Sequence, residues 1–558
     1  MSRRFAEHTR RLTQDLSGTW DFAFLGDVDP EQVRVEDVAF DDRMVVPGCF
    51  DATPRYAGRR GVAAYRVRVS LGGERRARLV VDGAHHHATF LLDGVRFARH
   101  AGGFTRFRVE LPAAGPGEHE LVILVDNRFD EMRSPLHLEY FDWYHHGGLT
   151  RGLALEEVPD VVIEAFEVRT SSWERGEIEL ALHVTAARPE QVPCEVRFRG
   201  RALLSERLAL PAGETRVVRS LTLPQAAPWS PATPTLHELH ALVGDDDAVA
   251  RFGLREIAVR GRELLLNGEP LVLRGVNRHE AHPTFGHAVP AAVQLADLQL
   301  VQAMGGNFVR GSHYPQDGGF LDLCDELGVL VMSEAIGWQQ TEAHLTSEAY
   351  LSAQETHIDE MIAAGVNHPC VILWGLLNES CSTTERGRSG YTRLIERIRR
   401  RDASRPVTYA SNQPHADVCF DLADLVCVNT YPGWYFGDLE SVAGYLDELV
   451  TLLAERAPGK PILVGEIGAG AVYGFHDHNG QRWTEEFQEA LLDRALDRLI
   501  ADRRVLGVAI WQLTDCRTSE RIQNALGRPR GYNNKGLFDE YRRPKLAVRA
   551  VRKHFAAR

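Results

Sequence analysis

Cysteine, methionine and uninterrupted apolar sequence are all scarce in this chain. Eight cysteines and six methionines are spread through 558 residues. Cys49, Cys194, Cys324, Cys370, Cys381, Cys419, Cys427 and Cys516 never form the close C-x-x-C pairs of zinc or redox sites, so no metal is expected and the thiols are read as reduced and mostly buried. No run is apolar enough to span a bilayer. The opening MSRRFAEHTRRL is basic but lacks the apolar core of a secretion signal, so the expectation is a cytoplasmic protein with no membrane partner. Positive charge is in deficit as well: 64 Lys and Arg face 77 Asp and Glu, a formal charge of −13 with no long basic run against it. That balance argues against a nucleic-acid partner. There is no low-complexity segment and no short-period repeat.

What is present is ordinary globular composition, 44% apolar and 25% charged, in a chain too long for one hydrophobic core. From Thr19 to about Val158, short β-type runs (TWDFAF, AAYRVRVS, ARLVVDG, ATFLLDGVRF, HELVILVDN) are separated by Asp-Gly and Gly-Gly turns, which predicts a jelly-roll β-sandwich over 1–158. Alternating strands continue to about Arg260, a length that suits an immunoglobulin-like β-sandwich over 159–260. After Gly261 short buried runs alternate with helical patterns. Eight strand candidates (LVLRGVN, NFVRGSH, VLVMSE, VILWGLLNE, PVTYAS, LVCVNTY, PILVGEIG, VLGVAIWQL) and five helical segments predict a (β/α)8 TIM barrel over 261–558. An open doubly wound sheet competes, but the G-x-G-x-x-G expected after its first strand is missing.

In a barrel the working residues sit at the C-terminal ends of the strands. Asn277 and His279, Arg310 and His313, Glu334, Asn378 and Glu379, Asn429 and Tyr431, Glu466 and Trp511 all fall there. A lone Glu after a strand is ordinarily a helix cap or a solvated loop charge, and Glu334 and Glu280 are read that way. Glu379 ends strand four and Glu466 ends strand seven, so each is carried on rigid scaffold and aimed at one mouth. Two carboxyl groups about 5 to 5.5 Å apart are what retaining glycoside hydrolysis requires.

LLNES at the end of strand four contains the chain's only Asn-Glu pair, Asn378-Glu379. It resembles the signature of retaining β-glycosidases built on (β/α)8 barrels. The three-part order of the chain is similar to glycoside hydrolase family 2, and the similarity covers nearly the whole sequence. The resemblance implies that Glu379 is the general acid/base and Glu466 the nucleophile. It further implies that Asn378 binds the sugar 2-OH, that Tyr431 orients Glu466, that His313 touches the sugar and that Trp511 walls it. Structural packing is the competing reading for Tyr431, His313 and Trp511. Such chemistry needs no cofactor.

RPRGYNNKGLF, with Asn533 and Lys535, closely resembles the N-x-K-G segment of the family's β-glucuronidase branch, where Asn and Lys hold the carboxylate of a terminal uronic acid. An ammonium and an amide form a charge-assisted site for an anionic sugar. A solvated loop lysine is the alternative. Asp142, in EYFDWYHHGGLTR, falls where the family's jelly-roll loop reaches sugar hydroxyls. His145 and His146 depart from the family's Asn and aromatic residue, and Ser380 replaces the usual Pro. The segment after strand three, IGWQQTEAHLTSEAY, is short and implies an open leaving-group site. His85, His86 and His87 are read as structural, with at most His85 and His87 on one face of a strand. The implied substrate is a small-molecule glucuronide or a uronic-acid-terminated oligosaccharide, and family relatives imply a homo-oligomer, dimer or tetramer. The alternatives are a β-galacturonidase, a β-galactosidase, a transglycosylase, or a carbohydrate-binding protein on an inactive glycosidase scaffold.

Overall fold

The structure is a computed structural model that describes residues 3–73, 75–130, 142–518 and 527–556. Glu139, Tyr140 and Phe141, which open the segment carrying Asp142, lie outside the described residues. The chain is multidomain, mostly β, with a closed eight-stranded parallel barrel at its C-terminal end.

The N-terminal sandwich packs a six-stranded sheet on a four-stranded one, with antiparallel neighbours throughout. Its core is made by the inward residues of both, among them Trp20, Phe22, Tyr65, Leu79, Phe90 and Ile123. Val161 to Phe252 form a second sandwich of a three-stranded and a four-stranded sheet. The alternation read from the sequence fits both, since one face of each antiparallel strand meets the core and the other meets solvent. The histidine run departs from the expectation of one extended strand. Ala84–His85 pairs with Gly148–Leu149, whereas His87–Leu92 joins the six-stranded sheet, so the chain changes sheets at His86. His85 and His86 are both buried with their rings stacked at 5.5 Å. Burial, ahead of neighbouring positive charge, pushes His85 down to about 3 and His86 well below its ordinary value, so both are neutral.

All eight predicted barrel strands form, as Leu273–Arg278, Phe308–Gly311, Leu330–Glu334, Val371–Leu376, Val407–Ser411, Val426–Asn429, Ile462–Ile467 and Val505–Ile510. Every residue of Val371–Leu376 and Ile462–Ile467 is buried, as strands covered on both faces require. The ring closes where strand one pairs in parallel with strand eight, Leu273 opposite Gly507 through Val276 opposite Ile510. A Cβ at Gly507 would fall 2.2 Å from the Leu273 carbonyl oxygen, so this seam needs a glycine.

One crossover differs from the sequence reading. Val442–Arg456 is a helix between strands six and seven that was not expected, and its first turn carries neither an acid nor a side-chain cap to mark it. Between strands five and six, where no helical pattern is read, the chain has turns only, at 414–416 and 420–422. Among the described residues no helix is long and apolar enough to cross a membrane.

Two buried arginines tie the layers together. Arg151 of the jelly roll donates to Glu280 at 2.6 Å and to the Pro315 carbonyl at 2.8 Å, both in the barrel. Arg11 joins Asp246 of the second sandwich at 2.7 Å and Glu156 of the first at 3.0 Å. Glu280 is therefore a buried, paired carboxylate and not the solvated loop charge expected for it; unpaired, it would be too costly to keep ionised inside.

Candidate active site

The barrel mouth is organised around Arg310 at the end of strand two. Its guanidinium is fully buried and all its directions are used: Nε donates to Glu334 at 2.9 Å, Nη1 to Asn277 at 2.9 Å and to Glu466 at 2.7 Å, and Nη2 to Asn378 at 2.7 Å. Burial alone would lower the guanidinium pKa, but the Glu334 and Glu466 carboxylates more than offset it and raise it. Glu334, expected in solvent, is wholly buried between Arg310 and the His313 Nδ1 at 3.0 Å. Burial opposes its ionisation, and Arg310 then outweighs that and holds its pKa below the ordinary value. The signal was available in the sequence: an Arg and a Glu ending buried barrel strands must find each other.

Glu466 also accepts a hydrogen bond from the Tyr431 hydroxyl at 2.6 Å. Burial, then the Glu466 charge, lifts that phenol well above its usual range, so Tyr431 stays a donor. Glu379 lies across the mouth. Its Oε1 accepts from Asn429 at 2.9 Å, and its Oε2 from the exposed amides of Gln339 and Asn412, both at 3.3 Å. Asn429 and Arg310 share the Asn378 Oδ1, so Glu379 and Glu466 belong to one hydrogen-bonded chain with only Asn429, Asn378 and Arg310 between them. Burial, then the charge of Glu466, pushes Glu379 up to about 7. One carboxyl group is thus protonated near neutrality while its partner is surrounded by donors, the division of labour that acid catalysis and nucleophilic attack need.

The Asn378 amide nitrogen is fully buried and has no protein partner among the described residues, a donor that the protein itself leaves unused. Glu379 itself sits at φ +50°, in the left-handed region, and the turn is held from behind. There Ser380 Oγ donates to the Gln340 side chain at 2.7 Å and accepts from the Gln340 amide at 3.1 Å, a tether between loops three and four where a proline would have supplied stiffness.

An aromatic wall closes one side. His313 stacks on Trp511 at 5.1 Å, and His279 stacks on Trp143 at 5.1 Å. The His313 Nε2 lies 3.9 Å from Glu466. His145 packs against Trp143 at 4.8 Å, and His146 pairs with Asp51 at 3.1 Å, so both fill the space behind the wall.

A second group adjoins the first. Lys535 is 3% exposed, its Nζ donates to the Tyr435 hydroxyl at 2.8 Å, and it stands 5.6 Å from the centre of the Tyr431 ring. Asn533 donates to Asp142 at 2.9 Å. Asp142 is gripped by Arg528 through two bonds of 2.6 Å, and Arg528 also reaches Tyr435 at 3.3 Å. The nine residues singled out in the sequence therefore gather in two clusters joined by the Tyr431–Tyr435 ring contact of 5.2 Å. Sequence reasoning missed Arg528, Tyr435, Gln339 and Asn412. Arg528 and Tyr435 lie within a few residues of Lys535 and Tyr431; nothing local marked the two amides.

A family model for the TIM barrel domain of glycosyl hydrolases family 2 matches residues 257–557. The β-glucuronidase of Paenibacillus borealis is 30% identical over an alignment covering 97% of this chain and 96% of that protein. Rattus norvegicus β-glucuronidase is 28% identical over 86% of this chain and 78% of its own. Among solved structures, a family 2 β-galacturonidase from Eisenbergiella tayi bound to galacturonate superimposes with a TM-score of 0.92 at 34% identity, covering 100% of this chain and 99% of that one. The Faecalibacterium prausnitzii β-glucuronidase gives 0.87 at 29% identity, with 99% of each chain covered.

Proposed function

This chain belongs to glycoside hydrolase family 2, and from that premise we propose that it is a retaining, exo-acting β-glucuronidase. The observation that carries the reading is the place of Lys535: a buried ammonium whose neighbour Tyr431 is the same residue that donates to Glu466. A cation held that close to a nucleophilic carboxylate fits a pyranose carrying its own carboxylate at one end and the scissile bond at the other.

In this reading Glu466 attacks the anomeric carbon while Glu379, protonated near neutral pH, gives its proton to the leaving oxygen. Esterification removes the Glu466 charge, the Glu379 pKa falls, and the resulting carboxylate takes a proton from the water that releases the sugar. Asn378 donates its free amide hydrogen to the 2-OH, where hydrogen bonds strengthen as positive charge develops on the ring. Lys535, Asn533, Arg528 and Tyr435 surround the uronate, and Trp511 and His313 form the wall. Gln339 and Asn412 flank the acid on the leaving-group side, where they meet solvent. All eight thiols are unpaired, as a reducing cytoplasm would keep them. Assembly as a dimer or tetramer belongs to the same proposal, and light scattering tests it.

The galacturonide is the second reading. It is favoured by the likeness to the Eisenbergiella tayi protein. A panel of p-nitrophenyl β-glucuronide, β-galacturonide and β-galactoside, run on wild type and Lys535→Ala, decides. Glucuronide turnover should dominate, and Lys535→Ala should depress both uronides by about 100-fold or more while sparing the galactoside. Equal loss on all three would reduce Lys535 to a structural residue.

A further inference from the structure

Lys535 is only as well placed as the loop that carries it, and the backbone of that loop is fixed by another lysine. The Lys545 ammonium has three hydrogen-bond donors and three acceptors: the Ala471 carbonyl at 2.7 Å, the Asp515 Oδ1 at 2.7 Å and the Asn534 carbonyl at 3.0 Å. Ala471 follows Glu466 by five residues out of barrel strand seven, Asp515 follows Trp511 out of strand eight, and Asn534 immediately precedes Lys535. The same Asp515 Oδ1 accepts from the Gly536 amide at 2.9 Å, on the other side of Lys535. Both residues flanking Lys535 in sequence are thus bonded to one ion pair, and both side chains of that pair are completely buried. The fit is close: a Cβ on Gly536 would fall 2.3 Å from the Asp515 amide nitrogen, so the loop has no room to ride up on its support.

Burying such a pair has a desolvation cost that apolar packing would avoid, so its return lies in geometry and not in net stability. We propose that Lys545, together with Asp515, is a positioning residue for uronate recognition: it locks the 533–536 backbone to the segment that follows the nucleophile and thereby sets the separation between the Lys535 ammonium and Glu466. This rests on the uronate reading above, because only a substrate with a carboxylate would register the error if the loop shifted.

The test compares Lys545→Met, which keeps length and removes the donors, with Asp515→Asn, which keeps an acceptor oxygen for both Lys545 and Gly536. Each is assayed on p-nitrophenyl β-glucuronide and β-glucoside, with thermal melting as the control for folding. Lys545→Met should raise KM for the glucuronide by about tenfold or more with a smaller change in kcat, while the much slower glucoside reaction stays within about threefold of wild type. Asp515→Asn, which keeps an acceptor but removes the counter-charge of the buried ammonium, should raise the glucuronide KM in the same direction by less than Lys545→Met does, again with the glucoside reaction little changed. A folded Lys545→Met with unchanged glucuronide KM overturns the proposal, as does an equal loss on the two substrates. Should Lys545→Met not fold, Lys545→Gln is read in the same way, and failure of both to fold makes the pair structural and overturns it too. A wild type that prefers the glucoside, indifferent to Lys535→Ala, strikes down the uronate reading itself and this inference with it.

Discussion

Replacing Glu379 by glutamine should abolish turnover and yet make the protein more stable, by an amount that depends on pH in a defined direction. Burial and the Glu466 charge raise the Glu379 pKa from 4.5 to about 7. Between those values the folded chain holds a proton that the unfolded chain has released. The group's contribution is therefore intact below about pH 4.5 and is lost as pH rises through about 7. At about 1.4 kcal/mol per pH unit the full interval corresponds to about 3.5 kcal/mol. Because one carboxyl oxygen meets the exposed amides of Gln339 and Asn412, solvent screening reduces this to about 2 kcal/mol. A neutral amide of the same shape escapes the penalty, and the two exposed amides can turn their oxygens toward it. Thermal melting of wild type and Glu379→Gln from pH 5 to 8.5 should show curves that nearly coincide at the acid end and separate by about 2 °C above pH 7, the variant melting higher. Turnover of an alkyl glucuronide, whose leaving group needs the proton, should fall by about 100-fold or more. A melting advantage that is the same at pH 5 and pH 8, or a variant less stable at pH 8, would refute the claim that the ionised Glu379 is held against its own preference.

Three further outcomes follow from the same contacts. For wild type, kcat/KM should decline above about pH 7 as Glu379 loses its proton, which a pH–rate profile measures directly. Tyr431→Phe removes the 2.6 Å donor to Glu466 but keeps the ring beside Lys535, so kcat should drop by about 10- to 100-fold with little change in KM; an unchanged kcat would mean that Arg310 alone orients the nucleophile. Arg151→Met leaves Glu280 buried without its cation and should cost about 3–5 kcal/mol, seen in urea unfolding as an early transition of the jelly roll followed by that of the barrel.

How much of this was legible beforehand depends on the distance over which each feature is decided. Barrel strands are decided locally: VILWGL and PILVGEI are apolar because both faces of the strand are covered, and eight such runs with helical spacers leave few alternative folds. The helix Val442–Arg456 has no acid in its first turn to mark its start, yet Val442, Leu446, Leu449, Val450 and Leu453 recur at helical spacing, so this element was legible locally and was missed. The polar residues divide along the same line. Position at a strand end, with the family resemblance, singled out Glu379, Glu466, Asn378 and Tyr431. The meaning of Glu334 was set by a partner 24 residues away, and that of Glu280 by a partner 129 residues away in another domain. Each looked like an ordinary loop acid until its arginine was located. The converse holds for any barrel of this kind: an ionised residue buried at a strand end must have a counter-charge, and if the barrel does not contain it, the preceding domains must. Arg151 is that case here. It makes the jelly roll part of the active-site scaffold, since of the two residues that it braces, Glu280 directly follows His279 and Pro315 stands two residues past His313 at the mouth.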